Sequence, residues 1–207
     1  MSTDKEQLET MPATLNNLCV RAIHYDEGDP KRIQHLIKVH YFARLIGMCE
    51  QVAPEVLFIL EAAAIVHDIG IHVCEKKYGA CDGKHQELEG PAVAKKILSE
   101  TGGFTSEQME RVCWLVGHHH TYHDIKDMDH QILVEADFLV NIYEDNLPAE
   151  AVRKVRQTIF KTKAGIDLLD KIFLQTRLSQ NRLEMASFCF ISDRSHFSQK
   201  RSLQTYF

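Results

Sequence analysis

The chain has 207 residues, of which 44% are hydrophobic and 26% are charged, a balance typical of one globular domain with a substantial buried core. Its formal net charge of −5 excludes a predominantly basic surface, so we expect no nucleic-acid polymer as a partner. The longest apolar run, residues 56–66, is interrupted by Glu61 and is shorter than the ~20 residues that cross a membrane, so no membrane partner is predicted.

Cysteine and histidine are distributed in two informative ways. The six cysteines are dispersed without a CxxC pair, which favours reduced thiols and a cytoplasmic location over a disulfide framework. The twelve histidines are concentrated, because ten of them lie between His35 and His130. Histidine is the most common metal ligand and a proton carrier near neutral pH, so this stretch is the first place to look for chemistry.

The apolar pattern predicts an all-α fold of about seven helices or more. We predict a flexible lead-in at residues 1–14, one domain at residues 15–192 and a polar tail at residues 193–207. Residues 71–84 contain two glycines and no clear period, so a loop is predicted there. The predicted helices begin, in chain order, at Pro30 after an acidic cap, at Pro54, at Pro91, at the capping box from Thr105 to Gln108, near Ile132, at Pro148 and near Gly165.

The first candidate ligand is His35. It shares a helical stripe with Val39, Ala43 and Ile46, so its imidazole is predicted to face the core. Considered by itself, a buried histidine that is hydrogen-bonded for structural reasons is the commoner explanation.

The second candidate is the His67-Asp68 pair, which follows the apolar residues 62–66. A buried aspartate is costly unless it is paired or bound to metal. Neighbouring residues on a helix point about 100° apart, so the pair can approach one ion from two directions. The simpler alternative is a polar pair that ends a helix before Gly70.

The third candidate is Asp137, which lies on one stripe with Leu133 and Val140 and is therefore predicted to face inward. A structural ion pair is the alternative for this residue by itself. Taken together, three helices supply two imidazoles and two carboxylates, a mixture that suits a borderline divalent ion with open water positions.

These residues also carry a family resemblance. The order of His35, the pair in AAAIVHDIG and Asp137 in LVEADFL resembles the HD-domain metal-dependent phosphohydrolase superfamily of the HDIG type. The resemblance covers about Pro30 to Thr162 and includes the stretches RIQHLIKVHYFARLIG and IFKTKAGIDLL. It implies an HD-domain helical bundle in which the first metal ion is held by His35, His67, Asp68 and Asp137.

Some members of this superfamily hold a second ion through additional histidines. The candidates here are His85, His118 and His119, with solvated loop histidines or direct phosphate contacts as the alternatives. The implied cofactor is one divalent ion, with a second left open, among manganese, iron, cobalt, nickel, zinc and magnesium. A separate zinc site is a weaker hypothesis, because its residues match no common zinc spacing; they are His72, Cys74, Cys81 and His85.

The resemblance implies cleavage of a phosphate ester or anhydride by metal-activated water, with Asp68 and His67 as the catalytic residues. The expected partner is a nucleotide or another small phosphorylated metabolite. The sequence does not indicate which oligomeric state the protein adopts. Two alternatives stay open, a di-iron oxygenase of the HD type and a non-catalytic, metal-stabilised ligand-binding module. Basic residues near the ligand segments form a pool of phosphate-binding candidates: Arg32, Lys38, Lys76, Lys77 and Lys84.

Overall fold

The structure, a computed structural model, describes residues 4–175, and these contain nine α-helices, a final π-helical segment and no strand. The all-α prediction is therefore confirmed. The elements are α1 (Asp4–Tyr25), α2 (Pro30–Cys49), α3 (Pro54–Val66), α4 (Ile71–Tyr78), α5 (Gly83–Thr101), α6 (Ser106–Val116), α7 (Met128–Glu144), α8 (Ala149–Thr158), α9 (Lys163–Leu169) and the π-helical segment Asp170–Leu174.

Helix α3 is the centre of the domain. It packs against α1, α2, α6 and α7, and all of its residues from Leu60 to Val66 are buried. The three consecutive alanines at 62–64 keep this helix narrow, which allows its neighbours to approach closely on every side. The chain that leaves α3 therefore delivers His67 and Asp68 to the interior of the bundle.

One helical stretch in the described part of the chain, Pro54–Tyr78, has the length and composition of a membrane span. Of the 18 most apolar consecutive residues in this stretch, 61% are buried inside the domain. That degree of burial is typical of a core helix in a soluble domain.

Helices α2 and α7 flank α3 and also pack against each other. The carboxylate of Asp29 accepts a hydrogen bond of 3.1 Å from the Arg32 amide, so the predicted acidic cap of α2 is confirmed. His35 and its stripe are buried along α2, as is most of α7. The three helices that carry the predicted ligands are thus mutual neighbours.

Two glycines allow α5 to cross the end of α3. A β-carbon on Gly70 would lie 2.7 Å from the Gly90 amide nitrogen, and one on Gly90 would lie 2.7 Å from Val116 Cγ1. A larger side chain at Gly70 would push the turn after α3 away from α5, and one at Gly90 would push α5 away from α6. The close crossing places the first turns of α5 beside the His67-Asp68 pair.

Three predictions of local structure need correction. Residues 4–14 of the predicted lead-in are helical, because α1 begins at Asp4 and docks through Leu15 and Leu18. The predicted loop contains α4, a short helix that Gly79 ends at a φ of 76°. Helix α5 begins at Gly83 behind an Asp82 cap, so that Pro91 lies inside it. The predicted tail at residues 193–207 and the domain boundary at 192 lie outside the described residues.

Buried Glu135 of α7 holds the connection between α8 and α9. Its Oε1 accepts hydrogen bonds from the Lys161 amide at 2.6 Å, the Thr162 amide at 2.9 Å and Gln131 Nε2 at 2.7 Å. Its Oε2 accepts a hydrogen bond from the Thr162 hydroxyl group. Burial raises the pKa of Glu135, and these donors oppose that effect. Gly165 is required here, because a β-carbon would collide with Oε2.

We expect Glu135→Ala to lower the free energy of unfolding by at least about 2 kcal/mol, because several buried donors lose their acceptor. Urea denaturation measures the change. The matched control is Glu110→Ala at an exposed position of α6, which we expect to change stability by less than about 0.5 kcal/mol. Equal stability of the two variants would contradict this account of the α8–α9 connection.

Candidate metal centre

The four residues predicted to hold the first ion lie together at the end of α3. His35 Nε2 lies 3.1 Å from His67 Nε2 and 3.2 Å from Asp137 Oδ1. Asp68 Oδ2 lies 3.6 Å from each of the two imidazole nitrogens. Three helices, α2, α3 and α7, thus bring two imidazoles and two carboxylates to one point.

Hydrogen bonds fix how the histidine rings face this point. His67 Nδ1 lies 2.9 Å from the Ala64 carbonyl oxygen, and His35 Nδ1 lies 3.0 Å from Glu144 Oε2. Since both partners only accept, each Nδ1 carries the proton and each Nε2 of a neutral ring has a free lone pair. Two such lone pairs 3.1 Å apart do not bond each other, but they can share one metal ion.

Asp68 faces a second position through its other oxygen. Asp68 Oδ1 lies 3.4 Å from His119 Nε2, while His119 Nδ1 donates to the Val116 carbonyl oxygen at 2.8 Å. His119 is fully buried, and its Nε2 has no hydrogen-bond partner in the described part of the chain. An orphaned, buried nitrogen that faces a carboxylate is explained by a cation between them. The donor set therefore fits a metal ion at this position too.

The charges of the cluster support one another. Burial alone would lower the pKa of His35, but its hydrogen bond to Asp137 and the charge of Asp68 raise that pKa to about 9. Burial would raise the pKa of both aspartates, yet the facing histidines hold it well below the ordinary value. The carboxylates are thus ionised, and a bound cation would replace the protons that the imidazoles otherwise take up.

The structure gathers a different set of histidines at the second position than the sequence predicted. Ligand atoms of Asp68, His119 and His120 lie within 4.8 Å of one another. His85 instead contacts Asp82 at 2.9 Å, and neither metal-binding group found in the described residues includes it. Residue His118 stacks on Trp114 with ring centroids 4.1 Å apart.

Local contacts explain this difference. His118 does not face Asp68, because its Nδ1 donates to the Trp114 carbonyl oxygen at 2.7 Å and its ring is stacked on Trp114. His120 was missed, and the signal that could have found it is its place as the third histidine of the run.

The hypothetical zinc set is not assembled. His72 Nε2 pairs with Asp26 Oδ1 at 3.0 Å, and its Nδ1 lies 2.9 Å from Arg32 Nη1. His72 therefore belongs to a charge network that joins α2 and α4 to the turn after α1. Nor do Asp127 and Asp129 join a metal site, because both bind Arg111, at 2.9 and 2.6 Å.

A cavity of about 230 Å³ opens onto His35 and Asp68. It is somewhat smaller than the range usual for drug-sized ligands, ~300–1,000 Å³. Of the predicted basic pool, Arg32 lines this cavity, and Lys31, which the prediction omitted, lines it as well. Arg32 is already paired with Glu75 at 2.6 Å. The other lining residues are Asp29, Ile71, Asn141, Glu144 and Asp145.

Glu144 orients the first histidine, because its carboxylate accepts from His35 Nδ1 and is itself paired with Lys38. We expect Glu144→Gln to weaken the affinity for the first ion by about tenfold or more. Isothermal titration with Mn²⁺ measures the affinity. Asp145→Asn is the control, since this neighbour is exposed at the cavity rim. Equal affinities of the two variants would contradict the orienting role.

The comparisons with known proteins agree with this geometry. The family model described as HD domain matches residues 32–173, well over half of the chain. The match includes every residue of both metal-binding groups. No curated protein and no solved structure matches the chain. The chain belongs to the HD domain family.

Proposed function

We propose that this protein is a metal-dependent phosphohydrolase that cleaves a phosphate ester or anhydride of a nucleotide or another small phosphorylated metabolite. The observation that carries the proposal is the convergence of two imidazole lone pairs and two carboxylates beside an open cavity. The family supports it, since HD domains are largely metal-dependent phosphohydrolases. We expect a cytoplasmic location, as inferred from the dispersed cysteines.

In this proposal His35, His67, Asp68 and Asp137 hold the first ion, and Asp68 with His119 contacts a second one. Mixed nitrogen and oxygen donors favour manganese, iron, cobalt, nickel or zinc over magnesium, which prefers oxygen ligands. When bound, the ion would supply a water molecule of lowered pKa and offset the charge of the phosphoryl group.

The side chains of the metal centre differ in their access to the cavity. The Asp68 side chain is 25% exposed and lines the cavity, whereas that of Asp137 is 4% exposed. Asp68 is therefore the carboxylate that can orient a water molecule and accept its proton. His67 is fully buried with Nδ1 bound to the backbone, so its contribution is to hold the ion rather than to carry protons.

The cavity rim supplies little positive charge of its own. Lys31 and Arg32 line this cavity together with the carboxylates of Asp29, Glu144 and Asp145, and Arg32 is paired with Asp29 at 3.1 Å. A phosphate would be repelled from such a rim unless a cation accompanied it. The charge balance thus supports a reaction that depends on bound metal, with Lys31 and Arg32 as auxiliary phosphate contacts.

A di-iron oxygenase is the second candidate. The observation that favours it is the placement of Asp68, whose two oxygens face two separate groups of histidines. A carboxylate in that position can bridge two ions. Oxygen uptake by the iron-loaded protein, in the absence of phosphate release, would select this candidate over the hydrolase.

The proposed activity is tested by loading the protein with Mn²⁺, Co²⁺ or Ni²⁺ and measuring phosphate release from a panel of nucleotides and sugar phosphates. We expect Asp68→Asn to lower kcat by about 100-fold or more on the best substrate, because the proton acceptor is lost. The control is Asp167→Asn, whose carboxylate pairs with Lys171 on α9 and the π-helical segment, away from the cavity. Undiminished turnover by Asp68→Asn, or no phosphate release with any ion, would refute the proposal.

A further inference from the structure

His120 borders the second metal position, yet both of its ring nitrogens are occupied. Its Nε2 lies 2.5 Å from Gln86 Oε1, and its Nδ1 lies 2.8 Å from the Tyr122 hydroxyl. A neutral imidazole has one donor and one acceptor. The amide oxygen can only accept, so Nε2 donates to Gln86 and the Tyr122 hydroxyl donates to Nδ1. No lone pair of His120 is left for an ion.

The first turn of α5 fixes His120 in this arrangement. A β-carbon on Gly83 would lie 2.8 Å from His120 Cγ, so the ring rests directly against the helix backbone. The His120 amide also donates to Glu87 Oε1 at 3.0 Å. Ring and backbone are therefore both held by the helix that carries Gln86.

The neighbouring histidine shows the opposite state. His119 is anchored through Nδ1 alone, and its Nε2 faces Asp68 Oδ1 with no hydrogen-bond partner among the described residues. Of these two adjacent imidazoles, His119 has a nitrogen available to a cation, whereas the nitrogen of His120 that contacts Gln86 is used in a hydrogen bond.

We propose that Gln86 sets the number of metal ions that the protein retains, because it holds His120 as a hydrogen-bond donor and leaves Asp68 and His119 as the only side-chain ligands of the second ion among residues 4–175. This inference rests on the metal centre proposed above. The first ion has four side-chain ligands and is retained. The second has two, so it exchanges with the solvent. His120 becomes a third ligand only when the amide of Gln86 releases its ring.

The test compares Mn²⁺ binding to the wild type, Gln86→Ala and Gln86→Met by isothermal titration and by metal analysis after dialysis. The methionine variant keeps the volume of the side chain but loses the amide acceptor, so it separates the hydrogen bond from packing. We expect the wild type to retain one equivalent. Both variants should bind the second equivalent about fivefold tighter or more, as expected for one released hydrogen bond.

One control isolates the effect. Gln157→Ala changes an exposed glutamine on α8 and should alter neither ion. Affinity for the first ion and the melting temperature report whether each variant is folded.

The outcomes distinguish the two proposals. A wild type that retains two equivalents, or Gln86 variants that bind the second ion no tighter than the wild type, would overturn the role of Gln86 and leave the first metal position intact. An equal gain in Gln157→Ala would also overturn it, since the effect would then not be specific to the contact with His120. A wild type that binds no Mn²⁺ at all would instead remove the metal centre itself.

Discussion

The carboxylate of Asp68 is the group on which the rest of this structure depends. It lies among buried residues, where an isolated charge would be costly. Its Oδ2 faces His35 and His67, and its Oδ1 faces His119. The opposing imidazoles keep it ionised, and each of them is in turn held by an acceptor on its far nitrogen. The site is therefore a network whose members specify one another's protonation and orientation.

The helices serve this network by controlling distance. The alanine run of α3 lets α2 and α7 approach, and the contact between Gly70 and Gly90 brings α5 across the end of α3. The opposite side of α7 is secured by Glu135, which fastens the α8–α9 connection through buried hydrogen bonds. Without these small residues and the hydrogen bonds of Glu135, the domain could not bring ligands from three helices to within 4 Å of one another.

Local pattern was sufficient for part of this arrangement. Inward stripes on two helices predicted that His35 and Asp137 face the core, because helical periodicity decides which side chains do so. Asp68 was singled out because it follows an apolar run, and the family resemblance implied that these residues lie together, as they do. Caps such as the box from Thr105 to Gln108 are equally local and were also predicted. Helix α4 was missed because eight residues with a single buried side chain show no period.

The sequence did not predict the contact of Gln86 with His120, since it joins α5 to the turn after α6 and the two residues are 34 positions apart. The most direct test of the metal centre is diffraction from zinc-loaded crystals at the zinc absorption edge. The account predicts one anomalous peak at about 2.0–2.1 Å from both His35 Nε2 and His67 Nε2, next to Asp68 and Asp137. Loaded crystals with no peak at this cluster, or with zinc bound only elsewhere, would contradict it.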